Sequence, residues 1–249
     1  MLITALKTSG QVFTSPPVLI PNPPMWSNFM DALVGHGFAR YLLNTTLLSA
    51  VTALGNLVSA SLAAYGLSML EWRYRNHIFV LVLSTLLLPD FVTLIPLYTL
   101  FREVGLVGGL QGALPLVLPA FFGKAYFIFL LRQFMLGLPR ELADAARIDG
   151  CSELGILIRI VLPLCRPALL SLLLYSLVYT WSDFLLPLVY LKDKDLYTVS
   201  VGLADFQGRY QTQWPQMMAA ATVTVVPILI VFIIAQRAFV RGASTSGIK

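Results

Sequence analysis

Charge is scarce in this sequence. Only 12% of its 249 residues are Asp, Glu, Lys or Arg, against 57% that are hydrophobic. A soluble domain of this length cannot bury that much apolar surface, so an ordinary globular protein is excluded. Histidine is scarcer still: His36 and His77 are the only two. They fall on opposite sides of the membrane in the topology below, so they cannot share a metal or activate one nucleophile. Cysteine is limited to Cys151 and Cys165, which excludes a disulfide framework and fits free thiols. No H-E-x-x-H or G-x-S-x-G pattern occurs. Gly123-Lys124 lacks the earlier Gly of a phosphate-binding loop, because Leu118 stands there, and Ala125 replaces the Ser or Thr. The net charge of +5 is spread along the loops, which argues against a nucleic-acid surface.

What remains is a succession of long apolar runs, with a mean hydropathy of +0.79. Several reach the ~20 residues a helix needs to cross hydrocarbon. The expected fold is all-α and polytopic, with five spans at about 42–70, 78–100, 110–131, 164–188 and 217–235. Gly55, Pro89, Pro96, Pro115, Pro119 and Pro227 fall inside them, as a helical bundle tolerates. Residues 16–24 hold five prolines (Pro16, Pro17, Pro21, Pro23, Pro24) and are not expected to be helical.

Between the third and fourth spans lies a polar island whose spacing predicts two short helices meeting at a bend. Pro139 and Glu141 suit a first helical turn, and Asp149-Gly150 is a helix stop. Ser152 can cap a second helix, and Pro163 closes it. Leu142, Ala145 and Ala146 share a face of the first helix, with Ala143 keeping it slim. Leu154, Leu157, Ile158 and Val161 repeat at helical spacing on the second. Such an element suits docking into a groove on another protein; from pattern alone, an interfacial connector on the headgroups fits as well.

Placing this island inside gives the inner loops Arg73, Arg75, Arg132, Arg140, Arg147, Arg159, Arg166, Arg237, Arg241 and Lys249. The outer segments receive Lys7, Arg40, Arg102, Lys192, Lys194 and Arg209. The positive-inside rule favours that orientation. It makes residues 1–40 an external N-terminal segment, 41–240 the transmembrane domain with a cytoplasmic loop at 137–163, and 241–249 a cytoplasmic tail.

Asp144-Ala145-Ala146, three residues, Gly150, nine residues and then Ile160-Val161-Leu162-Pro163 resembles the cytoplasmic "EAA" loop of the membrane subunits of binding-protein-dependent ABC importers. The usual leading Glu is Asp144 here, which keeps the charge and shortens the reach. Trp26-Ser27-Asn28-Phe29, Tyr41-Leu42-Leu43-Asn44-Thr45, Ala63-Ala64-Tyr65-Gly66, Ile95-Pro96-Leu97-Tyr98, Trp181-Ser182-Asp183-Phe184-Leu185 and Gln236-Arg237-Ala238-Phe239-Val240 resemble the carbohydrate, maltose-type subclass. That subclass usually has six spans, and this chain looks as if it begins just after the first. The resemblance implies a multi-pass permease of the bacterial inner membrane and a sugar or polyol substrate. It also implies three kinds of partner: a homologous second permease, two copies of a cytoplasmic ATPase and an external solute-binding protein. This chain would bind no cofactor, with ATP and Mg used by the ATPase. Glu141, Asp144, Ala145, Ala146, Gly150 and Pro163 would form the ATPase-coupling loop.

Polar residues inside the spans are candidates for the translocation path. Asp90 and Lys124 either serve it or satisfy each other, and Asn44, Tyr179, Trp181 and Asp183 either line it or pack helices. The outer loop around 192–195 and 205–214 suits contact with a binding protein or plain solvation. A secondary transporter, or a membrane assembly factor without a substrate, are the competing classes. The first calls for inverted repeats, which this sequence does not display.

Overall fold

Small and hydroxyl residues explain the first long helix, α1 (Phe38–Ser68, 31 residues). One side of it buries Thr45, Ser49, Thr52, Ala53, Asn56, Ala60, Ala64 and Ser68, while Leu43, Leu47, Val51, Leu54, Val58 and Leu62 stand exposed on the other. That pattern is inside-out for water and right for lipid, where small side chains let helices approach and leucines meet acyl chains. The hydroxyls bond back to their own helix: Thr45 Oγ1 donates to Tyr41 O at 2.7 Å and Ser68 Oγ to Ala64 O at 2.6 Å.

The computed structural model describes residues 1–207 and 212–246; the side chains of Asp90, Leu110, Ala235 and residues 237–246 lie outside the described set. Arg209, Arg237, Arg241 and Lys249, which entered the charge count, are among those outside it, as is most of the 236–240 tag.

The second expected span is broken. Helix α2 (Arg75–Ser84) runs through a tight turn at Thr85–Leu87 and stops, and α3 (Asp90–Glu103) leaves at 99° to it. Pro89 is the cause: Leu88 before it is extended (φ −83°, ψ 117°), as a residue preceding proline prefers. Pro96, inside α3, is accommodated. The third apolar stretch, Gln111–Leu136, is 26 residues long but irregular at its start. Turns at Gly109–Ala113, Leu114–Val117 and Leu118–Phe122 precede α4 (Ala125–Leu136), after a left-handed Gly123 (φ +84°).

After the polar island the fourth expected span is shorter than 164–188. Helices α5 (Arg140–Ile148) and α6 (Glu153–Ile156) make up the island, and α7 (Arg166–Ser182) follows them. Asp183 ends α7, and its Oδ1 accepts the Leu186 N–H at 3.3 Å, so a new helix, α8 (Leu185–Tyr190), starts there. Helix α9 (Val199–Asp205) and α10 (Trp214–Ser246) follow. Among the described residues, three helical stretches are long and apolar enough to span a membrane, five if each bent pair counts as one.

The chain forms two compact units. The first comprises Met1–Ser49, Gly108–Ala113 and Val178–Ile234. Its core holds Ala5, Phe38, Tyr41, Trp181, Val199, Phe206, Ala219 and Ala220. Asn28 ties the N-terminal segment to itself, its Nδ2 donating to Ala5 O at 2.8 Å and Lys7 O at 3.0 Å. No helix forms in residues 16–24, as the prolines require. The second unit comprises Ala50–Val107, Leu114–Leu177 and the chain from Ala235. Its core joins Ala60, Ala64, Tyr65, Phe127, Leu131 and Met135 to Ala143, Ala146, Ile156, Leu157, Val161 and Leu172. The polar island is thus built into this core.

Candidate functional site: a helix–corner–helix loop

The loop between α4 and α7 is shaped by local chemistry. Pro139 takes the N-cap position (φ −59°, ψ 124°), one residue before the first helical turn in which sequence reasoning placed it. Glu141 in the first turn and Arg147 in the last suit the dipole of α5. The helix ends on Gly150 (φ +81°), whose N–H donates to Arg147 O at 3.0 Å, while the Cys151 N–H donates to Ala146 O at 2.9 Å. This paired closure satisfies the Ala146 and Arg147 carbonyls at the helix end and needs a left-handed residue at the corner. Ser152 Oγ then accepts the Gly155 N–H at 3.2 Å and starts α6.

The buried faces differ from those expected. Ala143 and Ala146 turn inward from α5, whereas Leu142 and Ala145 are exposed. Methyl groups allow α5 close against the core; a leucine there would hold it away. Beyond α6 a π-helical turn, Leu157–Val161, widens the spacing so that residues five apart align. Ile156, Leu157 and Val161 are buried together, and Leu154 and Ile158 are left outside. Pro163 lies within the last short turn, Leu162–Leu164, and the chain bends by 83° at Cys165 into α7. The outward surface therefore carries apolar Leu142, Ile148, Leu154 and Ile158 beside Glu141, Asp144 and Gly150; Ile148 is 86% exposed.

Arg147 organises the charges. Its Nη1 donates to Asp144 Oδ1 at 2.7 Å, its Nε to Glu153 Oε1 at 2.7 Å and its Nη2 to Glu153 Oε2 at 3.2 Å. The Tyr65 hydroxyl, from the end of α1, donates to the same Glu153 Oε2. The Arg147 guanidinium first, then this hydroxyl, holds the Glu153 carboxyl below the usual carboxylate range, and Glu153 makes Arg147 harder to deprotonate. Arg140 Nη1 pairs with Glu71 Oε1 at 2.9 Å across a cleft of about 600 Å³, lined by Met69, Leu70, Glu71, Trp72, Ala143, Asp144 and Glu153 among others. Arg132 caps α1 through Nε to Leu67 O at 3.1 Å, with its guanidinium 3.9 Å from the centre of the Phe79 ring. Asp144, Glu153 and Glu71 are thus each engaged by an arginine.

Of the path candidates, Asn44, Tyr179, Trp181 and Asp183 belong to the first unit and Asp90 and Lys124 to the second. Asn44 Nδ2 donates to Asp195 O at 2.8 Å and Tyr197 O at 3.1 Å, so it holds the backbone of the outer loop. Trp181 is buried in the first unit's core, where its carbonyl accepts the Ser200 hydroxyl at 3.3 Å. Tyr179 is 40% exposed on α7, and Asp183 caps the start of α8. Lys124 is exposed at the N-cap of α4; the Asp90 side chain lies outside the described residues, so their pairing stays an expectation. Sequence reasoning did not select Tyr65, Arg147 or Glu153 as site residues. Opposite charges straddling the glycine corner were a usable signal for the last two; Tyr65 carried none beyond its place in a family-like tag.

Residues 38–245 match the family described as the binding-protein-dependent transport system inner membrane component. This chain belongs to that family. The arabinooligosaccharides transport system permease protein AraQ of Halalkalibacterium halodurans is 37% identical over the whole chain and 89% of its own length. The sn-glycerol-3-phosphate transport system permease protein UgpE of Pectobacterium atrosepticum is 34% identical, over 96% of this chain and 87% of its own. A crystal structure of a bacterial ABC transporter that imports the acidic polysaccharide alginate superimposes with a TM-score of 0.82. It covers 95% of this chain and 88% of that one at 20% identity, a likeness of fold. The chain is therefore a permease subunit of a binding-protein-dependent ABC importer, a membrane transport component and not an enzyme. The secondary-transporter and assembly-factor readings give way to it.

Proposed function

We propose that this permease forms half of a translocation path for a carbohydrate or polyol-type solute, with a homologous second permease forming the other half. Of the two copies of a cytoplasmic ATPase in the complex, one docks on the helix–corner–helix loop of this chain and the other on the second permease, and an external solute-binding protein delivers the cargo to the outer face of the bacterial inner membrane. ATP and Mg are used by the ATPase; this chain binds no cofactor. The observation that carries the docking role is the outward apolar set on the loop, Leu142, Ile148, Leu154 and Ile158, around a closed glycine corner. An amphipathic helix offered in this way fits a groove on a partner. Glu141, Asp144, Ala145 and Gly150 are exposed on the loop too, the two carboxylates supplying the polar part of the contact and the two small residues a close approach. Ala146 and Pro163 support it from behind. The cargo class rests on the relatives, whose names specify arabinooligosaccharides and sn-glycerol-3-phosphate. Of the candidates at the end of α7, Asp183 holds the backbone of α8 while Tyr179 is exposed, so Tyr179 is the one whose replacement is expected to alter solute preference.

The test is purification of the tagged chain from its native membrane in mild detergent, with identification of co-purifying proteins and an ATPase assay. A second permease, an ATPase and ATP turnover stimulated by a sugar-loaded binding protein are expected. A chain that emerges alone, without ATP turnover, overturns the reading.

A further inference from the structure

Tyr65 is buried in the last turns of α1, 88 residues before Glu153, yet its hydroxyl reaches the Glu153 carboxylate. Arg147 of α5 grips that carboxylate through both oxygens and Asp144 as well. A guanidinium and a carboxylate thus join three separate stretches of chain, in the two-pronged geometry that fixes orientation as well as distance. The corner between α5 and α6 is closed by two backbone hydrogen bonds, from the Gly150 and Cys151 N–H groups, and by no side-chain packing of Gly150 itself. A side chain at Gly150 would meet nothing within 4 Å, so packing at the corner does not set its angle. The Ala143 and Ala146 methyls hold α5 to the core but, being small and non-directional, do not set its register against α1.

We propose that Tyr65, Glu153 and Arg147 form a latch that makes the end of α1 and the coupling loop move as one body, so that force applied to α5 reaches the membrane span. The proposal rests on the importer reading above and deepens it by naming the positioning residues of coupling. With the latch closed, displacement of α5 carries Glu153 and, through the hydroxyl, the end of α1. With it open, the same displacement is taken up by rotation at Gly150. The Arg147 and Glu153 side chains are 34% and 44% exposed, so the pair contributes little to stability and its loss leaves the fold intact.

The test uses the whole reconstituted importer in lipid, with Tyr65→Phe, Glu153→Ala and the double variant. ATP hydrolysed per solute imported is the readout, at matched amounts of assembled complex. Each single variant is expected to raise that ratio about tenfold, the loss of one charge-assisted hydrogen bond. The double variant is expected to rise no further, because both remove one linkage. A ratio unchanged in Tyr65→Phe overturns the latch, and so do two effects that multiply. Loss of assembly in a single variant also counts against it, since the contact would then be structural. If the wild-type chain fails to co-purify with an ATPase, it is the importer reading that fails.

Discussion

Replacing Gly150 tests why glycine stands at the corner. Its φ is +81°, and an added Cβ meets no atom within 4 Å. The cost inside this chain is therefore one of backbone conformation, about 1–2 kcal/mol for an L side chain in the left-handed region. A corner in equilibrium between closed and splayed forms shifts toward the splayed one by about 5–30-fold for that energy. Asn, which visits the left-handed region more readily, loses less than Ala, and β-branched Val loses most. The assay is solute uptake into proteoliposomes at limiting ATPase, with the membrane level of each variant measured alongside. Uptake is expected to fall in the order Gly, Asn, Ala, Val at equal membrane levels. Equal loss in all three variants would refute the conformational argument and assign the defect to side-chain bulk against a partner.

Gly202→Ala places a Cβ 2.2 Å from Tyr41 Cδ2, so it is expected to destabilise the first unit by about 1–3 kcal/mol in thermal unfolding, with partial recovery by Tyr41→Val; unchanged stability would contradict the packing. Asn56→Ala removes a buried hydrogen bond to Ser176 Oγ at 2.9 Å, worth about 1 kcal/mol between membrane helices. Ser176→Ala should match it in detergent unfolding without adding to it. Because the Glu153 pKa is lowered on folding, chiefly by Arg147, its contribution is complete above the ordinary Glu value near about 4.3 and is lost only as pH falls through the lower folded value. Hydrogen exchange of the α5–α6 corner, corrected for intrinsic rates, should not accelerate between neutral pH and about 5. Acceleration inside that window would contradict the assignment.

Local features of the loop were legible in the sequence because their chemistry is local. Gly150 ends a helix through its own φ, and Ser152 caps the next through a bond three residues away. Long apolar runs announced membrane spans for the same reason: length and composition suffice. Features set by three-dimensional partners were not legible. Hydrophobic periodicity treats Leu142 and Ala143 alike, and only the core decides that the smaller one goes inward. The turn at Leu157–Val161 moves a face by one register without any sequence mark. Pro89 was visible but ambiguous, since Pro96 and Pro227 sit inside continuous helices while Pro89 breaks one. Tyr65 and Glu153 meet across 88 residues of chain, beyond the reach of any spacing rule.

The central claim is that the outward apolar surface of the loop seats an ATPase. A photo-crosslinking amino acid at Ile148, the most exposed of its apolar residues, tests this directly in native membranes. Illumination should yield one major adduct with a cytoplasmic ATPase, and the adduct should change in yield when ADP is trapped with vanadate after hydrolysis. Adducts with lipid alone would contradict the account and make the loop an interfacial connector.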